Sequence, residues 1–139
     1  MARTSGMLGL TAFLAAITML FAAFSSAYIV RRGLGGDWEH LEVPAVAWVS
    51  AAALLLARGR AAIPLALLAA AALVESCREQ HAVGTARTFF VLFHATSFVL
   101  VAAGVIAQMF SRRSGVIRVY WLYLAGLWCW LLVLMTVYR

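Results

Sequence analysis

The sequence predicts an all-α, polytopic transmembrane helix bundle, and two observations carry that prediction. The eleven basic residues, all Arg, and the five acids fall in short clusters, leaving charge-free runs at 4–30, 43–57, 61–74, 88–111 and 119–138. These runs are mostly Ala, Leu, Val, Phe and Trp, and about 20 apolar residues as a helix span the ~30 Å hydrocarbon core of a bilayer. The second observation is composition. Of 139 residues, 65% are hydrophobic and the mean hydropathy is +0.97, well above the roughly 45–50% apolar content of soluble domains. One bundle over residues 1–139 is expected, with no room for an extramembrane catalytic domain.

The first span is expected at about 6–30. It exceeds the usual h-region of a signal peptide and runs directly into Arg31-Arg32, so a retained helix is expected in place of a cleaved leader. The segment 43–74 as a single helix would reach roughly 48 Å, at 1.5 Å per residue, with Arg58-Gly59-Arg60 at its centre. Arginine at the bilayer midplane costs several kcal/mol, by a lenient scale about 3 each. A hairpin avoids this, with spans at about 42–57 and 61–78, glycine permitting the turn and the arginines reaching back to the headgroups. The remaining spans are expected at about 88–111 and 118–138. Five crossings result; a continuous 43–74 helix would make four.

Charge then orients the bundle. Five crossings put Arg3, Arg58, Arg60, Arg112, Arg113 and Arg118 at one end. The other end takes Arg31, Arg32, Arg78, Arg87, Arg139 and all five acids, Asp37, Glu39, Glu42, Glu75 and Glu79. The positive-inside rule reads arginine and lysine and gives acids little weight, so the expectation is a cytoplasmic N-terminus and an outer C-terminus. In a soluble protein, a net charge of +6 would suggest nucleic acid. Arginines placed singly or in pairs beside apolar runs instead indicate topology and headgroup contact.

Candidate chemistry is sparse. His94 is the one histidine in a membrane run, and the reading as a heme ligand lacks a second histidine in any other such run. A neutral, hydrogen-bonded core or interfacial histidine is expected. His40 and His81 fall in outer loops beside Glu39 and Glu79, with too few further ligands in suitable spacing for zinc. Cys77, read as part of a polar loop, and Cys129, in an apolar run, suggest neither a disulfide nor a metal pair. Gly33-Leu34-Gly35-Gly36 reads as a flexible turn; no strand precedes it, so a phosphate-loop reading fails. Met19, Phe21 and Phe24, with Trp121, Trp128 and Trp130, could line a cofactor, but packing and headgroup anchoring are expected. Every carboxylate is expected in a loop or at a membrane edge, which counts against small exporters that work through a membrane-embedded acid.

Several strings together resemble the heme-copper oxidase subunit III family, the third subunit of cytochrome c oxidases. The first is Phe21-Ala22-Ala23-Phe24-Ser25-Ser26-Ala27-Tyr28-Ile29-Val30-Arg31-Arg32, followed by Asp37-Trp38 and Val43-Pro44. It is similar to a family helix end, a Trp-bearing outer loop and a proline opening the next helix. The second, Val119-Tyr120-Trp121-Leu122-Tyr123-Leu124-Ala125-Gly126-Leu127-Trp128, is similar to the family's last helix at Tyr120, Trp121 and Trp128. The third, Phe89-Phe90 before an apolar helix, resembles a further family helix. The strings occur in family order over nearly the whole chain. The positions that carry the resemblance, Ser26, Tyr28, Arg31, Trp38, Pro44, Phe89, Phe90, Tyr120, Trp121 and Trp128, are expected to be structural.

The chain departs from the family where the family carries polar groups in the membrane. Ile17, Ser97, Leu100, Leu122 and Ala125 stand at those positions. Two N-terminal helices of the seven-helix members have no counterpart, which leaves a five-helix core. The resemblance implies an accessory, non-catalytic subunit of a bacterial terminal oxidase in aerobic respiration, beside subunit I in the cytoplasmic membrane. It implies no heme or copper on this chain, heme and copper in the partner subunits, and lipid as a companion. The alternatives are an accessory subunit of nitric oxide reductase and, from a different class, a small membrane transporter.

Overall fold

The computed structural model describes residues 2–36, 38–58, 61–81, 83–110 and 114–138. They form five helices: α1 (Ala2–Leu34), α2 (Ala45–Leu56), α3 (Ala62–Glu79), α4 (Gly84–Phe110) and α5 (Ser114–Val137). No strand occurs among the described residues. Three stretches, Thr4–Leu34, Gly84–Phe110 and Gly115–Val137, are long and apolar enough to cross a membrane. The chain is a membrane protein with an all-helical fold.

The segment 43–74 is two helices and not one. Pro44 occupies the N-cap of α2 in extended conformation (φ −60°, ψ 147°); lacking an N–H, proline is tolerated at a helix start. The α2 helix stops at Leu56, and Ala57 closes it with its N–H on Leu54 O. Of the expected Arg58-Gly59-Arg60 turn, Gly59 and Arg60 lie outside the described residues. Returning, α3 brings the Gln80 amide to Glu42 O at 2.8 Å, so the two helices run antiparallel. At 1.5 Å per residue α2 is about 18 Å long and α3 about 27 Å, both short of a full hydrocarbon core.

Several helix ends differ from expectation, for a common reason. Helical backbone continues past the last apolar residue wherever arginine or small residues follow, because a helix satisfies its own hydrogen bonds regardless of side chain. So α1 extends through Arg31, Arg32 and Gly33-Leu34, of which the last two were expected in a turn. At its start α4 includes Arg87, before the span expected from 88, and α3 runs one residue past its expected end, to Glu79. Cys77 is therefore helical and half-buried, not in a polar loop.

The core lies among α2, α3, α4 and α5. The faces that meet are rich in alanine: Ala47, Ala51 and Ala53 of α2 and Ala62, Ala66 and Ala69 of α3 are all buried, and small side chains let membrane helices approach closely. Gly104 does the same for α4 and α5. A Cβ there would sit 2.6 Å from Tyr120 Cε1 and 2.9 Å from Trp121 Cη2. The same junction is bonded by Tyr120 Oη to Leu100 O (2.5 Å) and Trp121 Nε1 to Gln108 Oε1 (2.8 Å).

The α1 helix packs along α5 and is the least enclosed of the long helices. Ile17, Phe21, Ser25 and Tyr28 face inward. The Thr18 and Tyr123 hydroxyls bond to each other, and Tyr28 Oη donates to Tyr138 O at 3.1 Å. Arg32 lies 5.7 Å above the Tyr138 ring centroid, in cation–π range.

Gly104→Ala is expected to destabilise the protein by about 1–3 kcal/mol, the usual cost of overpacking. Gly126→Ala, where an added Cβ meets nothing within 4 Å, is expected to be neutral. Thermal unfolding of both variants in one detergent checks the contrast.

Candidate functional site

The most organised set of polar side chains is buried where α2, α3, α4 and α5 meet. His94 is 1% exposed. Its Nδ1 lies 2.9 Å from Phe90 O, one turn earlier in α4, and its Nε2 lies 3.0 Å from Ser76 Oγ of α3. A carbonyl can only accept, so Nδ1 carries a proton; in the neutral ring Nε2 then accepts from the Ser76 hydroxyl. That is the hydrogen-bonded core histidine expected from its place in an apolar run.

Aromatic rings close the same space. The Phe90 ring stacks on the imidazole at 3.9 Å between centroids, and Trp128 of α5 meets it edge-on at 4.8 Å and 90°. Trp128 Nε1 donates to Ser50 Oγ of α2 at 2.7 Å, and Ser50 in turn donates to Ala47 O. One polar layer thus includes a residue from each of four helices: Ser50, Ser76, His94 and Trp128. Its hydrogen-bonding groups are paired, as groups without access to water must be. The arrangement can hold helices in register; the Nε2 lone pair is already engaged by Ser76.

A second cluster is aromatic and lies between α1, the loop after it and α4. Tyr28 meets Trp38 at 5.1 Å and Phe89 at 5.8 Å, both edge-on, and Trp38 meets Phe89 at 6.2 Å. Phe93 extends the cluster to Phe21 at 6.5 Å and to Phe24 at 6.4 Å. Trp38 Nε1 is buried without a hydrogen-bond partner.

The sequence-derived positions therefore divide. Tyr28, Trp38 and Phe89, from separate strings, come together. Phe90 and Trp128 enter the His94 layer, and Tyr120 and Trp121 build the α4–α5 junction. Ser26 and Arg31 are exposed on α1, apart from both clusters. Pro44 lines a recess of about 490 Å³ between the loops after α1 and α3, with Glu39, His40, Glu42, Glu79 and His81. Glu39 Oε2 accepts from the Val83 N–H there at 3.0 Å. Among the described residues, no three His, Cys, Asp or Glu side chains form a metal-binding group. Met19 and Trp130, read as packing or anchoring residues, are 75% and 58% exposed and do not fill the bundle.

Sequence reasoning missed Ser50 and Ser76. The available signal was a hydroxyl inside an apolar helix, Ser50 in Trp48-Val49-Ser50-Ala51, which needs a partner when buried. Of the positions departing from the family pattern, Ile17, Ser97, Leu100 and Ala125 are buried, and Leu122 is exposed.

No family model, curated protein or solved structure matches the chain.

His94→Leu is expected to destabilise the protein by about 1–3 kcal/mol, because the Ser76 hydroxyl then loses its buried partner. Ser76→Ala is expected to cost about 1 kcal/mol. Removing both should cost less than the sum, with coupling of about 0.6–1.7 kcal/mol, the range for hydrogen bonds between membrane helices. Urea or detergent unfolding of the four proteins in the cycle checks this.

Proposed function

We propose that this chain is a non-catalytic accessory subunit of a bacterial heme-copper terminal oxidase, resembling cytochrome c oxidase subunit III. The observation that carries the reading is the ordered series of strings around Tyr28, Phe89 and Tyr120. In this reading the chain lies in the bacterial cytoplasmic membrane with five crossings, N-terminus cytoplasmic and C-terminus outside. It stabilises the catalytic subunit of an aerobic respiratory chain, whose hemes and copper perform oxygen reduction.

Two features support the reading. The three motif residues Tyr28, Trp38 and Phe89 pack in one cluster, as residues with a shared structural task would. Buried hydrogen bonds hold helices together, Ser50 with Trp128 and Ser76 with His94. A bundle with this interior offers a rigid face to a larger partner.

Affinity purification of tagged chain from native membranes in mild detergent tests the proposal. A heme-copper oxygen-reducing subunit should co-purify, with the heme and copper content accounted for by that subunit. Deleting the gene should leave heme incorporation intact and lower the stability and sustained turnover of the oxidase. Isolated chain carrying stoichiometric heme or copper would overturn the proposal. Co-purification with a nitric-oxide-reducing subunit would replace the partner, and substrate-driven proton release by reconstituted chain alone would replace the class.

A further inference from the structure

The groove between α1 and α5 carries polar groups that the fold leaves unanswered. Thr18, Phe21 and Ala22 line it from α1, and Tyr123, Gly126 and Trp130 from α5, around about 410 Å³. Gly126 forms its floor, where an added Cβ meets nothing within 4 Å. At one end the Thr18 and Tyr123 hydroxyls meet each other. Both donate to Leu14 O, at 2.8 and 3.2 Å, so their protons are taken up inside the protein. What this end still offers is oxygen lone pairs.

Seven residues further along each helix stand Ser25 and Trp130. The two helices run parallel, since Thr18 meets Tyr123 and Tyr28 meets Tyr138, so Ser25 and Trp130 share a level. Ser25 continues the α1 face of Thr18 and Ala22. It is 8% exposed, and its Oγ has no hydrogen-bond partner. The Trp130 indole N–H bonds to none of the described residues. Trp130 stands eight residues inside the end of the charge-free run 119–138, about 12 Å along the helix. A polar group without a partner in hydrocarbon is costly, and water is absent at this depth. Phospholipid esters lie at the surface of the hydrocarbon core, so the missing partner must itself dissolve in the bilayer.

We infer that this groove binds the para-dihydroxy ring of a membrane-soluble hydroquinone. Its two polar ends are about 10.5 Å apart, seven residues at 1.5 Å each. A hydrogen bond of about 2.8 Å at each end leaves about 5 Å, the separation of two oxygens across a para-substituted six-membered ring. One hydroxyl donates to the Thr18 and Tyr123 oxygens. The other oxygen accepts from the Trp130 N–H, with the Ser25 hydroxyl at the same level. The ring lies over Gly126, and an apolar tail runs out into lipid. An oxidised quinone has no proton to give the Thr18–Tyr123 end, so the groove selects the reduced form. Binding alone is inferred, with no electron transfer, and independently of the oxidase reading.

Retention of tritiated decylhydroquinone by immobilised full-length chain, in mild detergent under anaerobic reducing conditions, tests it. Wild type should hold the ring saturably, one per chain. Gly126→Leu places its side chain in the open floor and should weaken binding tenfold or more. Trp130→Phe keeps an aromatic ring but loses the N–H, and should weaken binding about fivefold, the worth of one hydrogen bond. The dimethyl ether of the same hydroquinone has no proton to donate and should compete at least tenfold less well. Circular dichroism should show both variants folded. No saturable retention by wild type, full retention by folded Gly126→Leu, or equal competition by the ether would each overturn the inference. In the first case, a membrane protein captured by wild type and lost with Gly126→Leu would assign the groove to a partner helix instead.

Discussion

The constraint on which this structure depends is the cost of leaving a hydroxyl or imidazole in hydrocarbon without a partner inside the protein, a cost borne at the buried Ser25 Oγ and avoided in the core. Four helices meet that requirement at one level. Ser50 and Trp128 tie α2 to α5, and Ser76 and His94 tie α3 to α4. The stacked Phe90 and the edge-on Trp128 join the two pairs through the imidazole. Hydrophobic burial cannot choose among registers of apolar helices in lipid, because lipid tails are as apolar as leucine. A directional bond can. Sliding α3 by one residue along α4 would carry Ser76 off His94 and leave the buried His94 Nε2 without its partner. The alanine faces of α2 and α3 permit close approach, and the polar layer determines where it occurs.

The same physics explains why α1 stands apart. Its bonds to α5 include the Thr18 and Tyr123 hydroxyl pair, Tyr123 Oη donating to Leu14 O at 3.2 Å, and Tyr28 Oη donating to Tyr138 O. Otherwise it relies on the aromatic cluster around Phe93, a set of contacts that tolerates small displacements better than hydrogen bonds do. A groove of about 410 Å³ remains between α1 and α5, lined by Thr18, Phe21, Ala22, Tyr123, Gly126 and Trp130. The molecule is thus a four-helix core with a long helix laid along one side.

Much of the fold was legible in the sequence, because charge clusters mark helix ends. The break at Arg58 and the five-helix count follow from where charges could not be tolerated, and the proline opening α2 from the resemblance. The helix boundaries were less legible. Arg31, Arg32 and Arg87 signal the end of the apolar stretch and not of the helix, since backbone hydrogen bonding is indifferent to the change. At the candidate site, His94 stood out as the one imidazole in an apolar run. Its partners did not: a single serine in a membrane helix can bond its own backbone one turn back, as Ser50 does to Ala47 O. Only the packing shows that Ser50 also receives Trp128.

Ile17, Leu100 and Ala125 are buried apolar side chains, and Ser97 is a buried hydroxyl. A buried apolar side chain carries no polar desolvation cost and makes no directional tie between helices. The directional ties between helices include those of Ser50, Ser76, His94 and Trp128, the Tyr120 and Trp121 bonds at the α4–α5 junction, and the Tyr123 and Tyr28 hydroxyl bonds between α1 and α5. Among the described residues no carboxylate is buried. The Glu75 and Arg78 side chains of α3 are exposed and pair with each other at 3.4 Å.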